Sequence, residues 1–393
     1  MDTIPKQFLL YLVDTFLKKG GTMVCNRPFG FLSLEKERNP SGRFFRGIVA
    51  FMKKIILAFS GGLDTTFSVP YLKDKGYDVI TVTVDTGGFS PGELSEIAVK
   101  SKKLGAIKHY AVDGKKKFFD SVASYIIKSH GLYQGAYPNM CADRYVIAEK
   151  CVKIAKKENA IGVAHGSTAM GNDQVRFDVA LMMLSPELQI ITPIREMGGN
   201  RKKEQCYLES KGFPIASLQK KYSVNQNLLG VTYSGSEIDK LEEPDASMFS
   251  WTKRTKINEE RFIVGFTKGV PVSLNGKISD GWQILQKLNH LLGAHGYGKA
   301  YYTGDCIIGI KGHIAFEAPG ILGLIEAHKA LQQLVLTKAQ QTLARFIGEQ
   351  FTDLVYTGKM YEPAMANLKC TIDSLQDNLN GFVTLLVGPG SVQ

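Results

Sequence analysis

From Lys53 onward the chain alternates between short strand-like segments and longer helical segments, and this alternation limits the fold more than any other feature. Four apolar, β-branched segments fit strands: KKIILAF, DVITVTV, IKHYAVD and AIGVAHG. Segments with helical spacing, such as SPGELSEIAVKSKKLGA, separate them. Strands that alternate with helices form a parallel sheet covered on both faces. We therefore predict an α/β fold whose ligands bind beyond the carboxyl ends of the strands.

The turn after the first strand, SGGLDTT, combines two glycines with three hydroxyls. Gly61 and Gly62 allow the backbone to approach a bulky anion, and the following helix presents free N–H groups and a positive dipole end. The turn is not a Walker A loop, because the glycine-lysine-serine/threonine ending is absent, and it lacks the glycine spacing of a dinucleotide fingerprint. It predicts a phosphate site. The alternative is an ordinary strand-to-helix turn in which Ser60 or Asp64 caps the helix.

A second polar segment, AHGSTAMGNDQVRFD, follows the fourth predicted strand. Asn172 and Arg176 are four residues apart, so both side chains can leave one helix face and converge on a carboxylate. Asp173 is adjacent and can accept hydrogen bonds from an ammonium group. The alternative is that Arg176 simply pairs with Asp173 on a solvated helix.

Composition and charge exclude several classes of function. With 44% hydrophobic and 22% charged residues, the chain can bury a sizeable core and form about two domains. The net charge of +11 favours anionic partners but does not by itself indicate nucleic acid. The six cysteines and seven histidines form no ligand-like cluster, which argues against zinc and favours a reducing compartment. The apolar runs are far shorter than the roughly 20 residues needed to span a membrane.

Residues 1–51 differ in character from the remainder of the chain. They contain no small-residue cleavage site, and their acidic residues argue against an organelle transit peptide. We expect a dispensable extension, or upstream codons before a true start at Met52. A short amphipathic helix in IPKQFLLYLVDTFLKK that binds a membrane surface or a partner is the alternative.

Two motifs carry a resemblance to a known family. SGGLDTT resembles the pyrophosphate-binding loop of the ATP pyrophosphatase superfamily, and GNDQVRF is similar to the signature of the argininosuccinate synthases. Blocks such as YSVNQNLLG, LGAHGYGK and DLVYTGKMYEPAM resemble that family in the same order along the chain. The resemblance implies a doubly wound parallel ATP-binding domain of the ATP pyrophosphatase type over residues 52–213. It implies an α+β synthetase and oligomerisation domain over residues 214–393.

The resemblance also implies an activity, that of a cytoplasmic, AMP-forming carbon–nitrogen ligase of arginine biosynthesis. The ureido oxygen of citrulline would attack the α-phosphorus of Mg-ATP, giving citrullyl-AMP and pyrophosphate. The amine of aspartate would then displace AMP. ATP and Mg²⁺ are the implied cofactors, with in-line positioning and charge neutralisation as the means of catalysis. No protein metal ligand, nucleic acid or membrane partner is expected.

The family pattern assigns roles to individual residues of this chain. The catalytic residues would be Asp64 and Asp173. ATP would be bound by Ala58, Phe59, Ser60, Gly61, Gly62, Leu63, Asp64, Thr65, Thr66, Val84 and Gly166. Aspartate would be bound by Thr168, Asn172 and Asp173. Citrulline would be bound by Tyr137, Asn172, Arg176, Ser223 and Thr232.

Several positions depart from the family pattern. The segment YPNMCADRY, residues 137–145, is shorter and lacks a hydroxyl pair. Met170 replaces a lysine, Gly304 replaces a glutamate, and Phe316 replaces a tyrosine. The chain stops after GFVTLLVGPGSVQ, where the family continues into a C-terminal arm. We therefore expect a homo-oligomer whose family tetramer is weakened or lost.

These departures leave two alternatives to the ligase. The first is a superfamily enzyme that adenylates another acceptor, such as a tRNA base, with Cys141 as a sulfur carrier. The second is a catalytically silent homologue that still binds nucleotide. A small buried cysteine is a common core residue, so Cys141 also has a purely structural interpretation.

Overall fold

The computed structural model describes residues 32–38, 44–50, 53–169, 171–213, 221–240, 242–305 and 311–393. The chain divides into two compact units, residues 1–52 and 53–393. The amphipathic helix predicted near residues 4–19, and Met170, lie outside the described residues.

The first unit contains a two-stranded antiparallel ribbon. Strand β1 (Leu32–Arg38) pairs with β2 (Phe44–Ala50). Leu32 lies opposite Ala50, and Arg38 lies opposite Phe44. The sequence analysis did not predict these strands, because this region lacks a clear alternation of apolar and polar residues.

The second unit begins with a five-stranded sheet in the order β5-β4-β3-β6-β7. All four strand pairs are parallel, which confirms the predicted α/β class. The fifth strand was not predicted, because it is only three residues long. The strands are β3 (Lys53–Ala58), β4 (Tyr77–Asp85), β5 (Lys108–Asp113), β6 (Gly162–Ala164) and β7 (Gln189–Ile191).

Helices connect these strands, as the alternation predicts. Ser90 starts the second helix with a capping box, in which its side chain and that of Glu93 each accept a hydrogen bond from the other's backbone N–H. A π-helical turn, Phe119–Ala123, lies between two short helices. The helices are α1 (Leu63–Asp74), α2 (Pro91–Lys103), α3 (Lys115–Phe118), α4 (Ser124–Ser129), α5 (Asp143–Glu158), α6 (Asp173–Leu184), α7 (Pro193–Glu196) and α8 (Arg201–Ser210).

The central strands of the parallel sheet, β3 and β4, are buried on both faces. Alternate residues of a strand point to opposite faces. Accordingly, Ile56 and Ile80 join one hydrophobic cluster, whereas Ile55, Leu57 and Val79 join another. All five side chains are fully buried. The near-continuous apolar sequence of β3 and β4 follows from this two-sided burial, which is the doubly wound arrangement that was predicted.

The remainder of the second unit contains two antiparallel sheets, in the orders β13-β14-β9-β8 and β12-β11-β10-β15-β16. Their strands are β8 (Ser223–Asn227), β9 (Gly230–Ser234), β10 (Glu260–Thr267), β11 (Val270–Leu274), β12 (Lys277–Ile278), β13 (Lys299–Asp305), β14 (Lys311–Glu317), β15 (Gly381–Gly388) and β16 (Ser391–Val392). The helices are α9 (Gly281–Gly293), α10 (Pro319–Val335), α11 (Lys338–Tyr356) and α12 (Pro363–Ser374). Short 3₁₀ turns occur at Met140–Ala142, Ile238–Lys240 and Ala246–Met248.

The predicted α+β character of this part is confirmed. The segment ERFIVGFTKGVPVSLNG has the pattern of a hairpin, and it forms β10 and β11, which pair antiparallel. Helices α10 and α11 are separate because the Thr337 side chain caps α11 and forms a capping box with Gln340. Within the described residues, no helix has the length and apolar character required to cross a membrane.

The buried carboxylate of Glu317, at the end of β14, holds a neighbouring loop against the antiparallel sheet. Glu317 is fully buried and accepts hydrogen bonds from the backbone N–H groups of Ser250, Trp251 and Thr252 at 2.6–3.0 Å. The Tyr233 hydroxyl donates a further bond at 2.6 Å. Several donors of this kind satisfy a carboxylate without a cation, so Glu317 fixes the 250–252 loop against β9 and β14.

The buried His328 and the half-buried His130 lead to a prediction about acid stability. Nδ1 of His328 lies 2.7 Å from Nε2 of His130, and Nε2 of His328 lies 2.9 Å from Oε1 of Gln376. Burial lowers the pKa of His328 from 6.5 to about 4. The unfolded chain therefore binds a proton here below pH 6.5 while the folded chain does not. The stabilising contribution of the uncharged His328 is complete above pH 6.5 and is lost as the pH falls toward 4.

Because of His328, we expect the free energy of unfolding to be about 2 kcal/mol lower at pH 5 than at pH 7.5. Urea unfolding at the two pH values measures this loss. His328→Gln should lose about 2 kcal/mol less than the wild-type chain over the same interval. Equal losses in the two proteins would contradict the prediction.

Candidate functional site

The loop that follows β3 is held at the carboxyl edge of the parallel sheet. The backbone N–H of Phe59 donates to the carbonyl of Val82 at 2.9 Å, and the Thr83 hydroxyl donates to the carbonyl of Phe59 at 2.6 Å. Ala58 pairs with Val82, so Val84 lies two residues further along β4 at the same edge. Val84 is buried and belongs to the hydrophobic cluster that also contains Ala58.

Hydroxyl groups order the loop without capping the helix that follows. The Ser60 and Thr65 hydroxyl oxygens are 3.3 Å apart, and the Thr66 hydroxyl donates to the carbonyl of Gly61 at 3.2 Å. Gly62 precedes α1, and no side chain caps this helix. The alternative in which Ser60 or Asp64 caps α1 is therefore wrong. The first turn of α1, which starts with the buried Leu63, retains backbone N–H donors for an anion.

Gly61 has the backbone conformation that the sequence analysis expected of a tight turn. Its φ is +77°, and a Cβ atom there would lie 3.2 Å from Cγ1 of Ile97. Nζ of Lys100 donates to the carbonyl of Gly61 at 2.6 Å. The sequence analysis did not identify Lys100, because it lies on α2, far from the loop in sequence. Burial lowers the pKa of this lysine.

The segment after β6 packs directly on the loop. A Cβ atom at Gly166 would lie 3.1 Å from Cγ2 of Thr65 and 3.3 Å from Cβ of Asp64. The preceding His165 is buried, and its Nε2 lies 2.8 Å from Oδ1 of Asp178. Thr168, in the same segment, is half-buried. This contact brings the two motifs together, although about one hundred residues separate them in sequence.

Asp173, at the start of α6, lies between two arginines. Its Oδ2 accepts hydrogen bonds from Nε and Nη2 of Arg144 at 3.1 and 2.9 Å, and its Oδ1 accepts one from Nη1 of Arg176 at 2.8 Å. Burial alone would raise the pKa of Asp173, but the two guanidinium groups outweigh it and hold the pKa below its ordinary value. The side chain remains 34% exposed. It is an ionised carboxylate with an open side.

Arg176 has a more buried position than the sequence analysis expected. It is 4% exposed, and its Nε and Nη2 donate to the carbonyl of Tyr356 at 3.0 and 2.7 Å. The alternative pairing with Asp173 is present, but in a buried cluster and not on a solvated helix. Asn172 is also buried and immediately precedes α6. The two side chains therefore do not leave one exposed helix face.

A hydrogen-bonded path leads from this cluster to the antiparallel part of the unit. Nη2 of Arg144 donates to Oδ1 of Asn225 at 3.0 Å, and the Thr232 hydroxyl donates to the carbonyl of Asn225 at 3.4 Å. Thr232 is paired with Asn225 in the β8–β9 hairpin. Ser223 begins β8 and is exposed, two residues from Asn225. The sequence analysis did not identify Arg144 or Asn225.

Tyr137 lies in a cluster of aromatic side chains. This aromatic cluster lies under the charged cluster formed by Arg144, Asp173 and Arg176. It is 3% exposed, and its hydroxyl oxygen accepts a hydrogen bond from the backbone N–H of Cys141 at 3.1 Å. Its ring stacks on Tyr302 with centroids 4.3 Å apart. Burial raises the pKa of the Cys141 thiol to about 11, so the thiolate needed by a sulfur carrier is disfavoured.

Two of the departures from the family pattern lie in this aromatic cluster. A Cβ atom at Gly304 would lie 2.5 Å from the hydroxyl oxygen of Tyr356 and 2.8 Å from Cε2 of Tyr302. Phe316 is fully buried and makes an edge contact with Tyr137. The side chains beside the charged cluster are therefore aromatic rings, and those of the tyrosines carry hydroxyl groups.

The described residues provide no preformed cage for a metal ion. Within the ranges given above, no group of three or more histidine, cysteine or acidic side chains is arranged to bind one. Mg²⁺ commonly needs only one or two protein carboxylates when phosphates supply other ligands. A magnesium ion that arrives with a nucleotide would not require such a cage.

Two family matches together cover most of the chain. The family described as arginosuccinate synthase N-terminal HUP domain matches residues 54–214. The family described as arginosuccinate synthase C-terminal domain matches residues 222–393. The first match contains the parallel sheet and the loop, and the second contains both antiparallel sheets.

Individual proteins are similar over the same region. An argininosuccinate synthase of Xanthomonas campestris is 43% identical over 86% of this chain and 87% of its own length. One from Sulfolobus acidocaldarius is 40% identical over 86% and 87% of the two chains. One from Methanocaldococcus jannaschii is 37% identical over 86% of each.

The contact between Gly166 and the loop can be tested by filling the space at Gly166. Gly166→Val should displace Thr65 and Asp64 and weaken ATP binding at least about tenfold, or about 1.4 kcal/mol. Gly92→Ala is the matched control, because nothing lies closer than 4.0 Å to a Cβ atom there. Equilibrium dialysis of ATP measures both affinities. An unchanged affinity in Gly166→Val would remove Gly166 from the nucleotide site.

Proposed function

The chain belongs to the argininosuccinate synthase family of ATP-binding ligases, and from this premise we propose that it condenses citrulline with aspartate to form argininosuccinate. Citrulline is activated as citrullyl-AMP with release of pyrophosphate, and the aspartate amine then displaces AMP. The observation that carries this proposal is the direct packing of the Gly166 segment on the SGGLDTT loop. That packing brings an anion-binding helix end and an ionised carboxylate cluster to one edge of the sheet.

The nucleotide side consists of the loop and the start of α1. The uncapped N–H groups of α1 and the glycine backbone bind the pyrophosphate portion of ATP. Val84 borders the adenine, and Gly166 allows the close approach of the nucleotide. Lys100 holds the Gly61 carbonyl, so the loop is preorganised before ATP binds. Fixed donors of this kind stabilise developing phosphate charge without further reorganisation.

Magnesium enters as the Mg-ATP substrate, with its remaining ligands from the phosphates. This assignment agrees with the small number of acidic side chains at the loop. Asp64 is the one acidic residue of the SGGLDTT loop. When bound, the ion neutralises charge on the departing pyrophosphate.

The amino-acid side is built around Asp173. Its open, ionised carboxylate binds the aspartate ammonium group, with Thr168 and Asn172 beside it. Arg176 contacts both Asp173 and the Tyr356 carbonyl, so it orients Asp173, and the family pattern assigns it to citrulline. Ser223 and Thr232 lie on the β8–β9 hairpin and extend this amino-acid side. Asn225 links the hairpin to Arg144, and Tyr137 packs beneath the site.

The remaining expectations from the family resemblance stay predictions. They are the domain division at residues 213 and 214, the cytoplasmic location, the homo-oligomer with a weakened tetramer, the absence of a nucleic-acid partner, and a dispensable segment 1–51. The burial of Cys141 favours the ligase over the tRNA-modifying alternative.

The assay that tests the function is pyrophosphate release from Mg-ATP. The purified chain is compared with no addition, with citrulline, and with citrulline plus aspartate. We expect release to require citrulline, and argininosuccinate to form only when aspartate is also present. ATP binding without citrulline-dependent release would instead support another acceptor or a silent homologue.

Asp173→Asn tests the amino-acid side. The amide oxygen can still accept from one arginine, but the charge that attracts an ammonium group is lost. We expect argininosuccinate formation to fall at least about 100-fold, or about 2.7 kcal/mol, while ATP affinity changes little. Asp173→Ala should also abolish product, but it leaves Arg176 buried beside no carboxylate and should destabilise the fold. An active Asp173→Asn enzyme would remove Asp173 from the aspartate site.

A further inference from the structure

The C-terminal end of α11 is held by side chains from distant helices. A helix leaves its last four carbonyl groups without partners inside the helix. The Val355 carbonyl accepts a hydrogen bond from the Tyr145 hydroxyl at 2.6 Å, and the Tyr356 carbonyl accepts two from Arg176 at 3.0 and 2.7 Å. Tyr145 lies on α5 and Arg176 on α6. The end of α11 is therefore fixed against the two helices that carry the charged cluster.

A guanidinium group suits the electrostatics of this helix end. Aligned peptide dipoles give the C-terminal end of a helix a partial negative charge, so a cation there is stabilised. Nε and Nη2 of Arg176 both donate to the Tyr356 carbonyl, whereas Nη1 donates to Oδ1 of Asp173 at 2.8 Å. Because the guanidinium is planar and rigid, the position of the carbonyl sets the position of the Asp173 carboxylate.

The side chain of Tyr356 contacts the same guanidinium. The guanidinium carbon of Arg176 lies 4.9 Å from the centre of the Tyr356 ring, which is within the range of a cation–π interaction. The ring also stacks on Tyr133, with centroids 3.6 Å apart and planes 9° apart. Tyr356 is buried, so water competes little with these contacts. The ring and the carbonyl of one residue thus hold Arg176 from two directions.

We propose that Tyr356, the last residue of α11, is a positioning residue of the amino-acid site: its carbonyl and its ring fix Arg176, which in turn orients the Asp173 carboxylate. This inference rests on the proposed function, because Asp173 is assigned there to the substrate aspartate. Neither sequence motif contains Tyr356. The site is therefore completed by the end of a helix that lies about 180 residues further along the chain.

Three variants separate positioning from simple packing. Tyr356→Leu removes the ring, so the guanidinium loses its cation–π contact and the helix end loses its stacking contact. Tyr356→Phe keeps the ring and the carbonyl and loses only the hydroxyl. Phe351→Leu is the matched control, because Phe351 is a fully buried aromatic residue of the same helix and its ring contacts Tyr125, with centroids 5.8 Å apart.

The first measurement is the rate of argininosuccinate formation as a function of aspartate concentration, at saturating citrulline and Mg-ATP. We expect the KM for aspartate to rise at least about tenfold in Tyr356→Leu, because a displaced Asp173 carboxylate binds the ammonium group less well. Tyr356→Phe should stay within about threefold of the wild-type KM.

The control distinguishes this effect from a loss of stability. Phe351→Leu should lower the melting temperature, because it removes buried aromatic surface, and should leave the KM for aspartate unchanged. A purely structural defect lowers the fraction of active enzyme, and so the apparent kcat, without changing KM. The same KM in Tyr356→Leu and Phe351→Leu would overturn the inference.

A second readout follows Arg176 itself and requires no activity. In protein labelled with ¹⁵N-arginine, the Nε–H resonance of Arg176 is identified by its absence from Arg176→Lys. The aromatic ring beside it shifts this resonance, and the hydrogen bond slows its exchange with water. Tyr356→Leu should lose the ring-induced shift and exchange at least about tenfold faster, whereas Tyr356→Phe should retain both properties. An unchanged resonance in Tyr356→Leu would contradict the positioning role.

The two proposals fail in different ways. If citrulline does not release pyrophosphate from Mg-ATP in the wild-type chain, the proposed function fails, and the Arg176 resonance decides whether Tyr356 holds Arg176. If argininosuccinate forms and Tyr356→Leu keeps the wild-type KM for aspartate, the proposed function stands and the role of Tyr356 fails.

Discussion

The carboxylate of Asp173 lies between the guanidinium groups of Arg144 and Arg176, and the architecture of the site depends on this cluster. Removing one member of a buried ion pair costs about 3–5 kcal/mol, because the other charge is left without compensation. Arg144 comes from α5 and Asp173 from α6, while Arg176 also holds the carbonyl of Tyr356 at the end of α11. The same contacts thus orient the Asp173 carboxylate and join distant segments of the chain.

The second constraint is the shared edge of a parallel sheet. Strands β3 and β6 are paired in parallel, so the segments that leave their carboxyl ends start side by side. The contact of Gly166 with Thr65 follows from that pairing. Short loops on a rigid sheet can bring the groups proposed to bind phosphate close to the groups proposed to bind the amino acids. No large conformational change is needed for this.

Gly304 and Phe316, two of the departures from the family pattern, lie in one packed aromatic cluster. A side chain at Gly304 would collide with Tyr356 and Tyr302. The Tyr356 ring stacks on Tyr133 with centroids 3.6 Å apart and lies 4.9 Å from the guanidinium carbon of Arg176. Residue 304 is therefore coupled by packing to the arginine that orients Asp173. A substitution there would act on the charge cluster through the Tyr356 ring.

The fold class, the glycine-rich loop after β3 and the position of the second motif could be predicted from the amino-acid sequence. These features depend on local patterns: two-sided apolar strands, glycines that permit close approach of the backbone, and a run of adjacent polar residues. The environments of Lys100 and Arg144, and the burial of Arg176, depend on tertiary packing and could not be predicted. Their partners lie far away in the chain, and burial and charge pairing depend on how helices pack across the sheet. A local pattern contains no information about such contacts, so the side chains that tune the site could not be predicted from it.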